Sequence, residues 1–373
     1  MERIKTAVIG CGMISDIYLR NLSQRFPAID LAAVANRDPE KAKRKAGDFG
    51  IGQVLTIDEV ADDPSIGLVV VLTPVPAHYA IIRKMLEAGK HVYTEKMFTS
   101  VLSQAEELIR IADRNHLLIG VAPDTVLGAG TQSARYYLDD GRIGEVTGGI
   151  VAINRNQSLN SEHFRFLQEE GGALPYDVGI YYIATLVTLL GCVKAVRAFT
   201  APAPVHERVF FDTDETKDRW QIPGSNVVAG AMEFESGALI SVMFNGNTIN
   251  PEQSLIMLYG TKGIMKVGNP DTFGGKTEVL LQDGEWEAMP FTHGYDGVNR
   301  NGDPKPYDHY GDRGLGVAEL ADSILAGRKN RLSGEYGLHC MEVLQGFDVA
   351  AESGETYIMK SHFEMKKMHY SDH

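Results

Sequence analysis

A glycine-containing turn near the start of the chain has the residue types that bind a phosphate group. Gly10 permits a tight turn, Gly12 lets the backbone approach a pyrophosphate, and the small Ser15 allows close packing of helix on strand. The following helix offers free N–H groups and the positive end of its dipole to the phosphates. Gly10, Gly12, Met13, Ile14 and Ser15 are therefore predicted to bind a dinucleotide. A tight β–α turn also needs glycine for structural reasons alone.

The end of the second predicted strand bears on which dinucleotide binds. A carboxylate there would hold the ribose 2′-hydroxyl of NAD, whereas an arginine would accommodate the 2′-phosphate of NADP. The chain has Asn36, Arg37 and Asp38 at this point. Asn36 can hydrogen-bond a hydroxyl group, Arg37 can pair with a phosphate or stack on adenine, and Asp38 opposes a phosphate. The predicted cofactor is NAD(P), and the choice between NAD and NADP stays open.

Three further residues have side chains suited to proton and hydride chemistry. Lys96 follows a predicted strand and so lies at the carboxyl edge of the sheet, where ligands bind. Asp177 and Tyr181 are four residues apart on a predicted helix, which places them on one face. An ammonium nearby would lower the pKa of a tyrosine from about 10 toward that of a useful base. Each residue also has a structural interpretation, as a surface lysine, a helix cap and a core tyrosine.

Weaker candidates have side chains that suit the recognition of sugar hydroxyl groups. Asp124 follows a predicted strand at the same carboxyl edge, and Asn154 ends a strand of the second half. His163 and Arg165 lie in a polar segment. Such side chains hold polyols through paired hydrogen bonds, although exposed loops have the same composition. The segment 290–313 is long, as functional loops often are, and is predicted to cover the sugar.

Alternating short apolar segments and helical patterns in the first part of the chain predict βαβ units and a doubly wound parallel sheet, a Rossmann domain. The predicted strands are residues 6–10, 31–35, 68–72, 91–94 and 117–121. The predicted helices are residues 13–25, 39–49, 77–88 and 100–115. Val, Ile, Leu and Ala dominate the strands without alternation, as expected when helices cover both faces of a sheet.

The pattern changes after Asp124 to that of an α+β domain with a large, mostly antiparallel open sheet. Its predicted strands are residues 146–154, 195–200, 227–234, 238–244, 255–259 and 278–281. Its predicted helices are residues 131–140, 177–190, 317–326 and 337–353. We therefore expect a nucleotide-binding domain over residues 1–124 and a substrate-binding and oligomerisation domain over residues 125–373.

Composition excludes several classes of protein. The 373 residues carry a formal net charge of −13, which disfavours nucleic acid as a partner. No segment has the ~20 apolar residues that span a bilayer, so no membrane association is predicted. Cys11, Cys192 and Cys340 are odd in number and widely spaced, which suggests a reducing, cytoplasmic compartment. The segment 361–373 contains three histidines, but nothing in the sequence fixes them in one place. A frayed terminus is therefore predicted there rather than a metal site.

The whole chain resembles the Gfo/Idh/MocA family of sugar and inositol dehydrogenases. The resemblance is carried by the glycine turn, by segments 72–78, 93–96 and 171–181, and by the closing region with Gly327-Arg328 and Gly334-Glu335. It implies a nicotinamide at the carboxyl edge of the parallel sheet, between the two domains. It also implies that the open sheet packs against another subunit, in a homodimer or homotetramer.

The family's motifs also imply site residues. Its Glu-Lys-Pro motif matches Glu95 and Lys96, with methionine in place of proline, and its Asp-x-x-x-His pair matches Asp177 and Tyr181, with tyrosine in place of histidine. Glu95 and Lys96 are thereby predicted to contact the cofactor. Segment 72–78 adds Thr73, Pro74 and His78 to these contacts, with His78 equally well explained as a structural residue.

Together these positions predict how the chemistry would run. Tyr181 is the expected acid/base, Lys96 its electrostatic partner at the substrate oxygen, and Asp177 the residue that orients them. Lys96 as the direct proton shuttle is an alternative. The predicted substrate contacts are Lys96, Asp124, Asn154, His163, Arg165, Asp177 and Tyr181.

The expected function is hydride transfer between NAD(P) and a ring hydroxyl of a sugar, glycoside or cyclic polyol. One alternative is redox-neutral cleavage of a glycoside, in which transient oxidation permits elimination and the hydride then returns. Another is a non-catalytic nucleotide or sugar sensor. The joint presence of Lys96, Asp177 and Tyr181 argues against the sensor, and net reduction of nicotinamide would separate the first two functions.

Overall fold

A computed structural model describes residues 2–209, 217–248, 255–298 and 310–364. Within these residues the chain forms a six-stranded parallel sheet, a nine-stranded sheet that is mostly antiparallel, and a two-stranded ribbon. The predicted combination of a doubly wound parallel sheet with an α+β part is confirmed. Over the same residues, no helix is both long enough and apolar enough to cross a membrane.

The parallel sheet has the strand order β3-β2-β1-β4-β5-β6. Its strands are β1 (Ile4–Ile9), β2 (Ile29–Ala35), β3 (Gln53–Leu55), β4 (Leu68–Val71), β5 (His91–Thr94) and β6 (Ile119–Val121). Its helices are α1 (Ser15–Gln24), α2 (Pro39–Phe49), α3 (Ile57–Asp62), α4 (His78–Glu87) and α5 (Leu102–Arg114). Every residue of β4 is buried, because helices cover both faces of the sheet.

Strand β3 and helix α3 were not predicted from the sequence. Strand β3 is an edge strand of three residues without alternating burial, so it is too short to give a period. Helix α3 begins with a capping box, in which the Thr56 hydroxyl accepts from the Glu59 N–H and the Glu59 carboxylate accepts from the Thr56 N–H. That signature was present in the sequence as Thr-x-x-Glu.

The second half begins with α6 (Ala129–Asp139) and contributes the nine-stranded sheet, in the order β16-β15-β14-β13-β7-β12-β11-β8-β17. The elements are β7 (Val146–Asn154), α7 (Gln157–His163), α8 (Ile180–Leu190), β8 (Val193–Pro202), β9 (His206–Val209), β10 (Lys217–Trp220), β11 (Ser225–Phe234), β12 (Leu239–Asn245), β13 (Leu255–Gly260), β14 (Gly263–Val267), β15 (Glu278–Leu281), β16 (Glu287–Ala288), α9 (Leu315–Leu325), α10 (Gly334–Ser353) and β17 (Tyr357–Ile358). Its neighbouring strands pair antiparallel except β7 and β12.

The two faces of the large sheet differ in what covers them. Phe244 and Ile240 of β12 point inward and are fully buried beneath the helices. On the outer face, one row across β12, β11 and β8 brings together Met243, Ala229 and Phe199. Phe199 is 82% exposed, so this row presents apolar surface to the outside.

The predicted helix from residue 177 to 190 begins differently in the structure. Residues Pro175–Gly179 form a π-helical turn, and α8 follows from Ile180. Asp177 therefore lies on the wider turn, and it does not cap the helix. The interpretation of Asp177 as a helix cap is wrong because its carboxylate bonds elsewhere.

The last two helices return to the parallel sheet. The N–H of Val121 in β6 donates to the carbonyl of Leu332, just before α10, and Gly120 forms a bridge with Ser333. Gly337 in α10 lies so close to Val121 that a Cβ atom there would come within 2.7 Å of its side chain. This return carries Arg313, which precedes α9, to the carboxyl edge of the parallel sheet.

Candidate active site

Lys96 and Asp177 meet in the cleft between the two sheets. Lys96 lies just after β5, and its Nζ donates to Oδ1 of Asp177 at 2.8 Å and to the carbonyl of Asp177 at 2.6 Å. Both side chains are largely buried, at 18% and 14% exposed. The interpretation of Lys96 as an ordinary surface lysine is therefore wrong. The residues next to Lys96 and Asp177 in the sequence gave no sign of this contact.

Neighbouring groups fix the orientation of this ion pair. The amide of Gln157 donates to the second carboxylate oxygen of Asp177 at 2.9 Å and to the carbonyl of Gly172 at 3.0 Å. Glu95 accepts from the backbone N–H of Lys96 at 3.0 Å and from the Tyr18 hydroxyl at 2.8 Å. The peptide bond between Lys96 and Met97 is cis. Gln157 thus orients the carboxylate that holds the ammonium, and Glu95 holds the backbone of Lys96.

The electrostatics of the pair favour its charged form. Burial disfavours charge on Lys96, yet Asp177 and Tyr181 outweigh it and raise the pKa of the ammonium above its ordinary value. Burial would likewise raise the pKa of Asp177, but Lys96 and Gln157 lower it below its ordinary value. At neutral pH the site therefore presents an ammonium and a carboxylate.

Tyr181 lies beside this pair, as the sequence predicted, but its acidity does not follow the prediction. The ring centre is 5.5 Å from Nζ of Lys96 and 5.8 Å from the guanidinium carbon of Arg313. The side chain is only 8% exposed, and burial raises the pKa of its phenol even though both cations act to lower it. The expected lowering is therefore wrong, because desolvation of the phenolate exceeds the attraction of the cations.

Asp124 is not available to bind sugar hydroxyl groups. It is fully buried, and its carboxylate accepts from Arg313 at 3.0 Å and from the N–H of Gly314 at 2.7 Å. The prediction that Asp124 contacts substrate is corrected on this ground. Its carboxylate instead holds Arg313, which stacks against Tyr181 and against Tyr310 at 5.6 Å.

His78 is structural rather than a direct cofactor contact. The side chain is fully buried, and its two ring nitrogens lie 2.8 Å from the carbonyl of Met97 and 2.7 Å from that of Thr73. It therefore ties the loop after β4, with Thr73 and the exposed Pro74, to the loop that follows Lys96. The prediction of His78 as a cofactor ligand is corrected accordingly.

The remaining predicted substrate contacts lie on the segment that follows β7. Asn154 ends β7 and is partly buried opposite Asn245. Arg165 is exposed on a short 3₁₀ turn. His163 ends α7, and its side chain lies outside the described part of the structure. Only the neighbouring Gln157 is shown bonded to the Lys96–Asp177 pair among the described residues of this segment.

Asp271 was not predicted from the sequence, and Tyr310 was recognised only as part of the segment 290–313. The Tyr310 hydroxyl donates to Asp271 at 3.3 Å, and burial raises the pKa of Tyr310 to about 12 and that of Asp271 above its ordinary value. Arg313, Lys96 and Arg155 all act on the Asp271 carboxylate, which places it on the same cleft. The weak signal was the segment 290–313, which ends at Arg313; residues 299–309 of it lie outside the described part.

The glycine turn has the shape that a dinucleotide requires. Gly10 adopts a φ of 110°, and a Cβ there would come within 2.7 Å of the Leu72 backbone. A Cβ on Gly12 would meet nothing within 4 Å, so the space above the turn is open. Met13 and Ile14 are exposed around it, while Ser15 is buried and its hydroxyl donates to the Gly12 carbonyl at 2.6 Å.

The sequence matches known families on both sides of this cleft. The family described as "Oxidoreductase family, NAD-binding Rossmann fold" matches residues 4–122 of the chain. The family of GFO/IDH/MocA C-terminal domains matches residues 131–266. The chain belongs to the GFO/IDH/MocA oxidoreductase family. Its N-terminal part is thus an NAD(P)-binding Rossmann domain, and the family comprises enzymes.

Relatives of this GFO/IDH/MocA protein match it over regions of different length. The scyllo-inositol 2-dehydrogenase (NADP(+)) IolW of Bacillus subtilis is 22% identical, over 96% of this chain and 97% of that protein. An oxidoreductase of Schizosaccharomyces pombe is 32% identical, but over 53% of this chain and 54% of its own length. The chain therefore spans about half the length of some curated relatives and nearly all of others. A levoglucosan dehydrogenase in complex with NADH and levoglucosan shares the fold, with a TM-score of 0.81 at 19% identity over 96% of this chain and 100% of that one.

The residues of this oxidoreductase fit a nicotinamide dinucleotide. The open space above Gly12 leaves room for a pyrophosphate at the start of α1. The hydroxyl oxygen of Thr73 is buried and has no hydrogen-bond partner among the described residues. A bound ligand could supply the partner that a buried hydroxyl group needs. Thr73 lies between the glycine turn and Lys96 along the carboxyl edge of the sheet. The groups that would hold the cofactor are thus continuous with the Lys96–Asp177 pair.

Proposed function

We propose that this chain is an NAD(P)-dependent dehydrogenase that acts on a ring hydroxyl of a sugar, glycoside or cyclic polyol. The observation that carries the proposal is the buried ammonium of Lys96, held by Asp177 at the cofactor edge of the Rossmann sheet. When bound, NAD(P) would supply the hydride acceptor or donor. The names of the inositol and levoglucosan dehydrogenases support a cyclic, hydroxyl-rich substrate.

Lys96 would stabilise negative charge on the substrate oxygen. Its ammonium is charged at neutral pH and partly reachable from the cleft, so a hydroxyl or carbonyl oxygen there would accept a hydrogen bond from it. Asp177 and Gln157 hold this donor in place before the reaction begins. Because this donor is already in place, neither it nor surrounding water has to rearrange as negative charge develops on the substrate oxygen. The raised pKa disfavours the alternative in which neutral Lys96 itself accepts the substrate proton.

Tyr181 would exchange the proton of the substrate oxygen. Because burial raises the pKa of its phenol, Tyr181 is protonated at neutral pH and suited to donate a proton during carbonyl reduction. Oxidation would use the small phenolate fraction. At pH values below the pKa of the phenol, this fraction grows about tenfold for each unit by which the pH rises. The site thus favours reduction at neutral pH and oxidation at alkaline pH.

Nicotinamide absorbance tests the proposal directly. The purified protein would be incubated with NAD or NADP and a panel of sugars, glycosides and inositols at pH 9 to 10. Net reduction with one substrate class is the expected result. Cleavage of a glycoside without net reduction would instead establish the redox-neutral reaction. Nucleotide binding with neither reaction would contradict an enzymatic role on these substrates.

We also propose that the large sheet joins two or more copies of this chain. The outer row of Met243, Ala229 and Phe199 is apolar, Met243 and Phe199 are exposed, and exposed apolar residues that adjoin one another mark an interaction surface. Replacing Phe199 with aspartate should lower the mass measured by light scattering toward that of a monomer, because a buried charge opposes association. Trp286→Asp, at another exposed aromatic residue, is the control. An unchanged mass in Phe199→Asp would contradict the proposed interface.

A further inference from the structure

A cysteine, a glutamate and a histidine meet at the start of β8, away from the active-site cleft. Cys192 precedes β8, Glu235 follows β11, and His362 lies in the segment 359–364 after β17. Each side chain offers one atom that can bind a metal ion, and these three atoms all lie within 4.8 Å of one another. Helix α8, with 11 residues, separates the cluster from Tyr181 by about 15 Å.

Backbone pairing fixes the positions of the first two residues of the cluster. Strands β8 and β11 pair antiparallel with Val193 opposite Phe234, and the N–H of Glu235 donates to the carbonyl of Cys192 at 2.9 Å. The side chain of Cys192 is buried, whereas that of Glu235 is 52% exposed. The cluster therefore has a fixed thiol on its inner side and a carboxylate with room to turn toward it.

Contacts on either side of His362 hold the segment 359–364 in place. The backbone N–H groups of Lys360 and Ser361 donate to the carboxylate of Glu342, each at 2.8 Å. Phe363 is partly buried and packs against the hydrophobic core. His362 is thus anchored through both of its neighbours, although the sequence predicted a frayed terminus from residue 361. The other two histidines of that predicted terminus lie outside the described residues.

The contacts within the cluster have the spacing from which a metal site can form. Nδ1 of His362 lies 3.1 Å from a carboxylate oxygen of Glu235, and Sγ of Cys192 donates to the carbonyl of Phe363 at 3.3 Å. Bond lengths of about 2.0–2.3 Å to zinc put tetrahedral ligand atoms roughly 3.3–3.8 Å apart. Atoms that already lie within 4.8 Å of one another need to approach by only about 1 Å.

We propose that Cys192, Glu235 and His362 bind one Zn²⁺ ion, which fastens the segment 359–364 to the start of β8. Thiolate, imidazole and carboxylate are the ligands that zinc takes in proteins. The thiolate and the carboxylate also balance the two positive charges of the ion. On binding, the thiol of Cys192 loses its proton to solvent, and His362 binds as the neutral imidazole. A water molecule would occupy the fourth position.

Cobalt substitution tests this site through the absorption of a thiolate ligand. The full-length protein, freed of metal with a chelator and kept reduced, would be titrated with Co²⁺ and then with Zn²⁺. One equivalent of Co²⁺ should produce a thiolate-to-cobalt charge-transfer band, and one equivalent of Zn²⁺ should abolish it. Competition with a chelator of known affinity should give a Kd for Zn²⁺ of about 1 μM or lower.

Variants of the cluster and of residues outside it show which side chains bind the ion. Cys192→Ser should remove the charge-transfer band. Glu235→Gln and His362→Gln should each weaken Zn²⁺ binding by at least about tenfold, because loss even of a group behind a ligand costs about 10–100-fold. Glu233→Gln, two residues earlier on β11, and His116→Gln, at an exposed histidine, are the matched controls and should leave the affinity unchanged.

Stability measurements test whether the ion fastens the segment. Zn²⁺ at about a hundredfold excess over its Kd should raise the Tm of the wild-type protein by about 3 °C, and should leave that of Cys192→Ser unchanged. Amide hydrogen exchange should slow most in residues 357–364. Exchange there that Zn²⁺ does not slow would refute the fastening role.

Other outcomes would overturn the site itself. A folded wild-type protein that gives no charge-transfer band with Co²⁺ does not bind the ion through Cys192. An equal band in Cys192→Ser would place the metal on other residues. Unchanged affinity in both Glu235→Gln and His362→Gln would leave their contact as a surface ion pair only. None of these results would bear on the proposed dehydrogenase, because the cluster lies at the far end of α8.

Discussion

Replacing Lys96 with alanine is expected to lower kcat/KM on a good substrate by about a hundredfold or more. In the proposed reaction the largely buried ammonium of Lys96 would donate to the substrate oxygen, and its charge would act most strongly where negative charge develops. Nucleotide affinity should change by no more than about twofold, because the glycine turn and Thr73 remain. Initial rates at saturating cofactor, together with nucleotide titration, measure both effects.

Loss of stability is the competing explanation for an inactive Lys96→Ala protein. The variant leaves Asp177 buried without its partner, and breaking such a pair costs about 3–5 kcal/mol. The double variant Lys96→Met with Asp177→Asn removes both charges, and it should recover thermal stability but not activity. Lys84→Ala, at an exposed lysine paired with Asp58, is the control and should keep normal turnover. Near-normal turnover of Lys96→Ala would refute the assigned role of the ammonium.

The sequence predicted the residues of the ion pair better than their surroundings. Strand β5 and the helix near Asp177 were recognisable from apolar patterns, which placed Lys96 at the carboxyl edge and Asp177 near Tyr181. The contact of Lys96 with Asp177 joins residues 81 positions apart and depends on how the two sheets meet. No local pattern encodes such a contact, and only the family motifs suggested it.

Asp124 and His78 show why polar residues near a site mislead a sequence analysis. Asp124 was predicted as a ligand contact from its place after a strand at the carboxyl edge, whereas His78 was predicted from the family segment 72–78, with a structural role equally open. In the structure Asp124 accepts from Arg313, and the two ring nitrogens of His78 each lie within hydrogen-bonding distance of a backbone carbonyl. Buried polar groups need partners, and a site that holds ligands must itself be held by such groups. Solvent exposure of the side chain distinguishes a residue that binds ligand from one that supports the site, and the sequence does not show that exposure.

Arg313 was beyond prediction for a different reason. It reaches the site because the chain returns to the parallel sheet through α9 and α10, which follow the large sheet in sequence. The same return brings Tyr310, and with it the bond to Asp271. The acidity of Tyr181 depends on this packing, since burial raises the pKa of its phenol although Arg313 and Lys96 act to lower it. A sequence shows the cations but not the burial.

Replacing Tyr181 with phenylalanine should lower the rate of carbonyl reduction by about a hundredfold across pH 6 to 9, because general acid catalysis contributes on the order of 10²–10⁴-fold. In the wild-type protein that rate should stay flat over this range. The phenol has a raised pKa, so its acid form persists below that value and is lost only when the pH rises through it. Oxidation should instead rise with pH over the same range.

The pH profile distinguishes a proton carrier from a packing residue. If Tyr181 carries the proton, Tyr181→Phe should flatten the rise of the oxidation rate with pH as well as lower it. Tyr182→Phe, at the next and equally buried tyrosine, should keep both profiles and show at most a small loss of thermal stability. An unchanged profile in Tyr181→Phe would leave this ring as a wall of the cleft and assign the proton to another group. Because the ring centre of Tyr181 lies 5.5 Å from Nζ of Lys96, that outcome would make the Lys96–Asp177 pair the next candidate to carry the proton.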